Sequence, residues 1–166
     1  MPVREAMPKD FDSILDMCEV FWKHTQFDEP LDRDHTRNMV QMSYDHELLI
    51  VAEDEGIIEG FMAAIKSPLL GTPAALAATE LAWWINPDSR GRMYGVQLLQ
   101  LLERLCIEQD VKYLNLAFME TSMPDKVKHL YKSLGYKLQE TLYTKVLYGS
   151  DNRGGDSSSV GSRISR

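Results

Sequence analysis

Thr79-Glu80-Leu81-Ala82-Trp83-Trp84-Ile85-Asn86-Pro87-Asp88-Ser89-Arg90-Gly91-Arg92-Met93-Tyr94-Gly95-Val96-Gln97-Leu98-Leu99 decides the fold. Residues 79–85 are apolar, aromatic and β-branched, the composition of a buried or half-buried strand. Asn86-Pro87-Asp88 stops it, because proline lacks a ladder donor and asparagine and aspartate favour turns. Beyond Val96, Leu98, Leu99, Leu101, Leu102, Leu105 and Ile107 are too dense for one stripe, which predicts a deeply buried helix from about Gly95 to Gln109. Two arginines and two glycines lie between strand and helix. Main-chain N–H groups at a helix N-terminus, the positive end of its dipole and nearby guanidinium groups together suit an anion, most often phosphate. The plain alternative is an ordinary strand–helix connection with solvated arginines.

Outward from this stretch, residues 111–118 read as another core strand, and strand–helix–strand implies parallel pairing with a right-handed crossover. Residues 47–53 and 57–65 read as an antiparallel hairpin turning at Asp54-Glu55-Gly56. Residues 67–75 contain Pro68, Gly71 and Pro73 and read as a connecting loop. Residues 2–6 suggest a short edge strand. A helix follows from Pro8-Lys9-Asp10, with Asp10 as cap, and carries Phe11, Ile14, Leu15 and Cys18 on its way to Trp22. After the polar, aromatic loop 23–31, a second helix spans about 32–42. Towards the C-terminus Ser122 is a cap, Pro124 sits near the first helical position and Asp125 completes a capping box. Val127, Leu130, Tyr131 and Leu134 form the inner face of that helix and Gly135 ends it. Residues 136–140 and 142–147 read as a closing hairpin. The prediction is a single α/β (α+β) domain over residues 1–148. Its mixed, mostly antiparallel central sheet has a parallel βαβ core and is flanked by helices. Residues 149–166 are rich in glycine and serine and read as a flexible tail, either a tether to a larger assembly or a fusion scar.

A chain of 166 residues with 44% hydrophobic content suits one domain with a sizeable core. A net charge of −7 and a pI near 5.1, with basic residues scattered, argue against general nucleic-acid binding. Cys18 and Cys106 read as small buried apolar groups in a reducing compartment. The N-terminus lacks a charged segment leading into an apolar run, and no stretch approaches the length of a membrane span, so a cytoplasmic protein is expected, with no membrane partner. His24, His35, His46 and His129 share no metal-ligand spacing and no metal site is expected. No Gly-x-Ser-x-Gly elbow presents a nucleophilic serine. Asp28, Glu29, Asp32 and Asp34 are either a solvated face or an attractor for a cationic acceptor.

Two segments carry a family resemblance. Arg90 to Gly95 resembles the acetyl-CoA signature Gln/Arg-x-x-Gly-x-Gly/Ala of the GNAT superfamily of N-acyltransferases, with Met93 where the first family glycine usually sits. Leu130-Tyr131-Lys132-Ser133-Leu134-Gly135-Tyr136 resembles the family's Leu-Tyr-x-x-x-Gly-Phe/Tyr, with Pro124 where an asparagine commonly contacts the cofactor. The resemblance covers residues 3–147. It implies an acetyl-CoA-dependent N-acetyltransferase working by direct transfer in a ternary complex, with acetyl-CoA as acyl donor. The acceptor would be a primary amine on a small molecule or a protein. It further implies that Arg90, Gly91, Arg92, Met93, Tyr94 and Gly95 hold the pyrophosphate and that main-chain N–H groups near Trp84 and Ile85 polarise the thioester carbonyl. Tyr131 matches the tyrosine that can return a proton to the departing thiolate, and the first two helices match the acceptor wall. A homodimer and an assembly contact through residues 149–166 are compatible with the sequence. The competing class is a catalytically inert acyl-CoA-binding or interaction module with the same fold, tethered by its tail.

Acetyl transfer to an amine needs a neutral nucleophile, an oxyanion donor and often an acid for the thiolate. Glu80 is the candidate base. Its apolar strand should raise its pKa by desolvation, and it stands ten residues before Arg90, where several family members place a glutamate base. A solvated carboxylate at the start of a strand is the alternative, and Glu120 is a second candidate. Tyr131 can equally be a core aromatic on an amphipathic helix.

Overall fold

The computed structural model describes residues 2–118 and 124–147. In order the elements are β1 (Val3–Glu5), a 3-10 turn (Pro8–Asp10), α1 (Phe11–Trp22), α2 (Arg33–Asp45), β2 (Leu49–Asp54), β3 (Ile57–Leu69), β4 (Thr72–Ile85), a 3-10 turn (Pro87–Ser89), α3 (Tyr94–Glu108), β5 (Val111–Asn115) and α4 (Pro124–Ser133). Packing divides the chain into two compact units at His129–Leu130.

The first unit holds the sheet, in the order β1-β2-β3-β4-β5. The first three pairings are antiparallel and β4–β5 is parallel, closing the expected βαβ unit through α3. Leu49, Val51, Phe61, Ala63 and Trp84 share one face through the pairs Leu49↔Ala63, Val51↔Phe61 and Phe61↔Trp84. They form the core with Phe11, Ile14, Leu15 and Cys18 of α1 and Val40 of α2. The intervening Ile50, Ala52, Met62 and Ala64 are equally buried on the other face, where α3 contributes Leu98, Leu102 and Leu105. Strands covered on both faces have to be apolar nearly throughout, and β2 and β3 are.

Local signals set the joints. Asp32 caps α2, its Oδ1 accepting from His35 N at 2.9 Å. The β2–β3 turn places both Glu55 and Gly56 at positive φ, the geometry of a two-residue hairpin. Asp10 acts differently from expectation. Its side chain makes no cap bond to α1 and instead accepts from Met7 N at 2.7 Å and from Arg4 at 2.7 Å, closing the preceding 3-10 turn. Burial pushes the Asp10 carboxyl up, but Arg4 and the Met7 N–H outweigh it and hold it below its usual range.

In the second unit, α4 ends as the glycine predicts. Gly135 has φ +88, its N–H donates to Lys132 O at 3.1 Å and Tyr136 N donates to Tyr131 O at 2.9 Å. That is a Schellman stop, completed by the Tyr131–Tyr136 ring contact at 5.5 Å.

Two expectations give way. Residues 67–75 are not a loop: β3 and β4 continue through them as a two-stranded arm turning at Leu70-Gly71, with Pro68↔Leu76 and Leu69↔Thr72 paired on either side of a register shift. Each strand of such an arm has an edge in water, so a proline there removes no necessary ladder bond. Residues 136–140 and 142–147 carry no strand; Leu138, Leu142, Tyr143, Val146 and Leu147 are exposed. Alternation gives these residues strand propensity, but a ladder also needs a partner, which periodicity does not supply. The Ser122 cap, Glu120 and the tail 149–166 lie outside the described residues.

Candidate functional site

One extra residue in β4 lies next to the point where its pairing with β5 ends. Ala63 pairs with Ala82 and Ala64 with Glu80, so Leu81 is a bulge in β4. A bulge bends its strand and sharpens the local twist. Parallel pairing with β5 runs from Leu76↔Val111 to Thr79↔Asn115, and β4 then continues alone on that side to Ile85 among the described residues. Ser43, fully buried on α2, steadies β3 opposite the bulge: its Oγ lies 2.9 Å from Ala64 O and accepts from Ala64 N at 3.1 Å.

Glu80 reaches across the opening, its Oε2 accepting from Ala117 N at 3.3 Å. Desolvation pushes its carboxyl up from 4.5 to about 7, with the Ala117 N–H pulling the other way. Near neutral pH such a group can both take and give a proton. Asn86 N donates to Glu59 O at 2.9 Å. By the alternation of an antiparallel ladder, Trp84 N–H also faces β3, while Ile85 N–H faces the open side. Of the two proposed carbonyl donors, Ile85 is therefore the one turned towards the opening.

The turn after β4 is held from several sides. Ser89 Oγ donates to Glu59 Oε2 at 2.7 Å. Arg90 lies over the Trp84 ring at 4.6 Å and its Nε donates to Ile85 O at 3.1 Å. Arg92 pairs with Asp54 at 2.5 Å and donates to Tyr94 Oη at 3.1 Å. Both guanidinium groups thus brace the turn. Gly91, at φ +94, takes a conformation other residues adopt only at a cost. The α3 ladder starts with Gln97 N to Met93 O at 3.0 Å, so the N–H groups of Tyr94, Gly95 and Val96 precede it. Among the described residues no side chain caps this end and its first turn holds no acid. Met93 is 61% exposed, and a Cβ on Gly95 would stand 3.2 Å from the Trp83 ring, so that glycine serves helix–strand packing.

On the α1–α2 face lies a cavity of about 350 Å³. It is walled by α1, the 23–32 connection and α2, and floored by Phe61, Ala63, Leu81 and Ala82. Tyr131 belongs to the second unit, buried and in ring contact with Tyr136.

A family model described as the acetyltransferase (GNAT) family matches residues 11–136. The chain belongs to the GNAT acetyltransferase family. An acetyltransferase of Yersinia enterocolitica is 26% identical over 142 residues, covering 86% of this chain and 92% of that one. The fold resembles a predicted acetyltransferase from Clostridium acetobutylicum solved with acetyl-CoA, at TM-score 0.68, 16% identity and 87% and 95% coverage. It also resembles a ribosomal-protein-alanine N-acetyltransferase from Brucella melitensis, at TM-score 0.69, 15% identity and 87% and 96% coverage.

Within this GNAT frame, sequence reasoning missed Glu59, Gly60 and Ser43. A Cβ on Gly60 would stand 2.5 Å from Ile85 Cδ1 and 2.7 Å from Trp84 O, so glycine alone lets β3 approach the end of β4. A glycine inside an apolar strand is itself a sign of close approach. Glu59 and Ser43 left no such signal, since neither has a sequence neighbour among its partners. Among the described residues no three His, Cys, Asp or Glu side chains gather as a metal would need. Burial pushes the Cys18 and Cys106 thiols up to about 11. No helix is long and apolar enough to cross a membrane among the described residues.

Proposed function

We propose that this GNAT protein is an acetyl-CoA-dependent N-acetyltransferase that passes acetyl directly to a primary amine. The observation that carries the reading is the Glu80 carboxylate, set in the β4–β5 opening and raised to about 7. There it takes the proton of the acceptor ammonium, directly or through water, and frees the nucleophilic lone pair. Acetyl-CoA supplies the activated acyl group. Gly91, Met93, Tyr94 and Gly95 receive its pyrophosphate through main-chain N–H groups, with Arg90 and Arg92 adding positive charge from braced positions. Ile85 N–H supports the oxyanion, and Trp84 sets the strand end from which it points. Tyr131 is given the role of acid for the leaving thiolate on its motif alone.

The competing reading, an inert acyl-CoA-binding module, draws on the exposed Met93 in place of the family glycine. Titration calorimetry with acetyl-CoA, desulfo-CoA and adenosine, followed by thiol release with an amine panel, separates the two. The transferase binds acetyl-CoA and releases thiol in an amine-dependent manner. Binding without release leaves the inert module, and absence of binding overturns both.

A further inference from the structure

The cavity on the α1–α2 face specifies what kind of amine fits. We infer that the acceptor is a small primary amine with an apolar alkyl or aryl body, not a polycation or an amino sugar; this rests on the transferase reading. At about 350 Å³ the cavity lies in the range of small-molecule sites. Trp22, Leu31 and Met39 supply its walls and Phe61, Leu81 and Ala82 its floor. The ionisable side chains on its lining are Cys18, Asp32 and His35. Asp32 is already occupied as the cap of α2, and His35 is exposed. Asp32 stands at the exposed rim, so a second ammonium drawn past it onto Trp22, Met39 and Phe61 would lose water without meeting a carboxylate.

The wall is also built in advance. Trp22 Nε1 donates to Glu29 O at 2.7 Å, and its ring stacks on Phe27 at 5.4 Å, pinning the loop that closes one side. A site held this way loses little freedom on filling. Leu81 and Ala82, the floor, directly follow Glu80 on β4. The apolar surroundings favour the neutral amine, the form that attacks.

The test uses the whole chain with saturating acetyl-CoA and n-alkylamines from ethylamine to hexylamine. 2-Phenylethylamine, spermidine, glucosamine and a lysine-containing peptide serve as comparisons. Thiol release gives kcat/KM, and tryptophan fluorescence gives amine binding independently of turnover. Both should rise about fourfold per methylene. 2-Phenylethylamine should exceed spermidine by tenfold or more. Met39→Trp, which fills the cavity from a partly exposed helix position, should remove the chain-length slope, with acetyl-CoA affinity reporting that the fold is intact. A flat series in both readouts, or a preference for spermidine, glucosamine or the peptide, overturns the inference. A binding slope without any turnover overturns the transferase reading instead and leaves the cavity its ligand class.

Discussion

Glu80 links chemistry and stability through one proton. As base it works deprotonated, so kcat/KM should climb as pH rises through about 7. Stability runs the other way. Between 4.5 and about 7 the folded chain holds a proton that the unfolded chain has lost, so the contribution is full below 4.5 and disappears as pH rises past 7. The loss is at most about 3 kcal/mol. Glu80→Gln, which imitates the protonated acid, should lower kcat/KM by roughly 10²–10⁴. It should also flatten the pH dependence of the unfolding midpoint, with acetyl-CoA affinity retained. A pH–rate profile and denaturation at pH 5 and 8 check both halves; a wild-type midpoint that rises from pH 5 to 8 contradicts the assignment. The direction of this shift was legible in the sequence because Leu81, Ala82, Trp83 and Trp84 surround the carboxylate along the strand. The Ala117 N–H was not, since it lies past the end of β5, 37 residues away. Nor were the destinations of Arg90 and Arg92, because a long side chain takes whichever partner the fold brings near.

At the scale of elements, the Leu130–Tyr136 motif doubles as a helix stop. Tyr131 stands at C3, Gly135 at C′ and Tyr136 at C″, so the motif's spacing is that of a Schellman turn with its apolar contact. Gly135→Ala should cost about 1 kcal/mol through the positive φ alone, because a Cβ there meets no atom within 4 Å. Chemical denaturation reads this directly, and an unchanged midpoint would mean that the turn relaxes freely. The arm of β3 and β4 teaches the converse lesson. Pro68, Gly71 and Pro73 carry loop signals that hold for a central strand. They lose force where a ribbon leaves the sheet and each strand has a free edge.

Across the first unit, burial predicts a gradient of local stability. Ile50, Val51, Phe61, Met62, Ala64 and Ala78 are fully enclosed, whereas residues 70–74 at the arm's tip are exposed. Hydrogen exchange should therefore be slowest in β2, the inner half of β3 and α3, and fast at 70–74. Uniform protection along β3 and β4 would show that the arm opens only with the rest of the unit.

The sequence by itself determined the order of strands and helices up to β5, the burial of α3, and the turns at Glu55-Gly56, at Gly135 and between β4 and α3. These rest on periodicity, capping and φ preferences, which act within a few residues. Tertiary structure alone decided that Leu81 bulges, that β4 and β5 part beyond Thr79, that Gly60 admits the end of β4, and that an apolar cavity opens above Leu81 and Ala82. It also left residues 136–147 without the expected strands. Each of these depends on atoms distant in sequence meeting in space, and no local pattern encodes a partner.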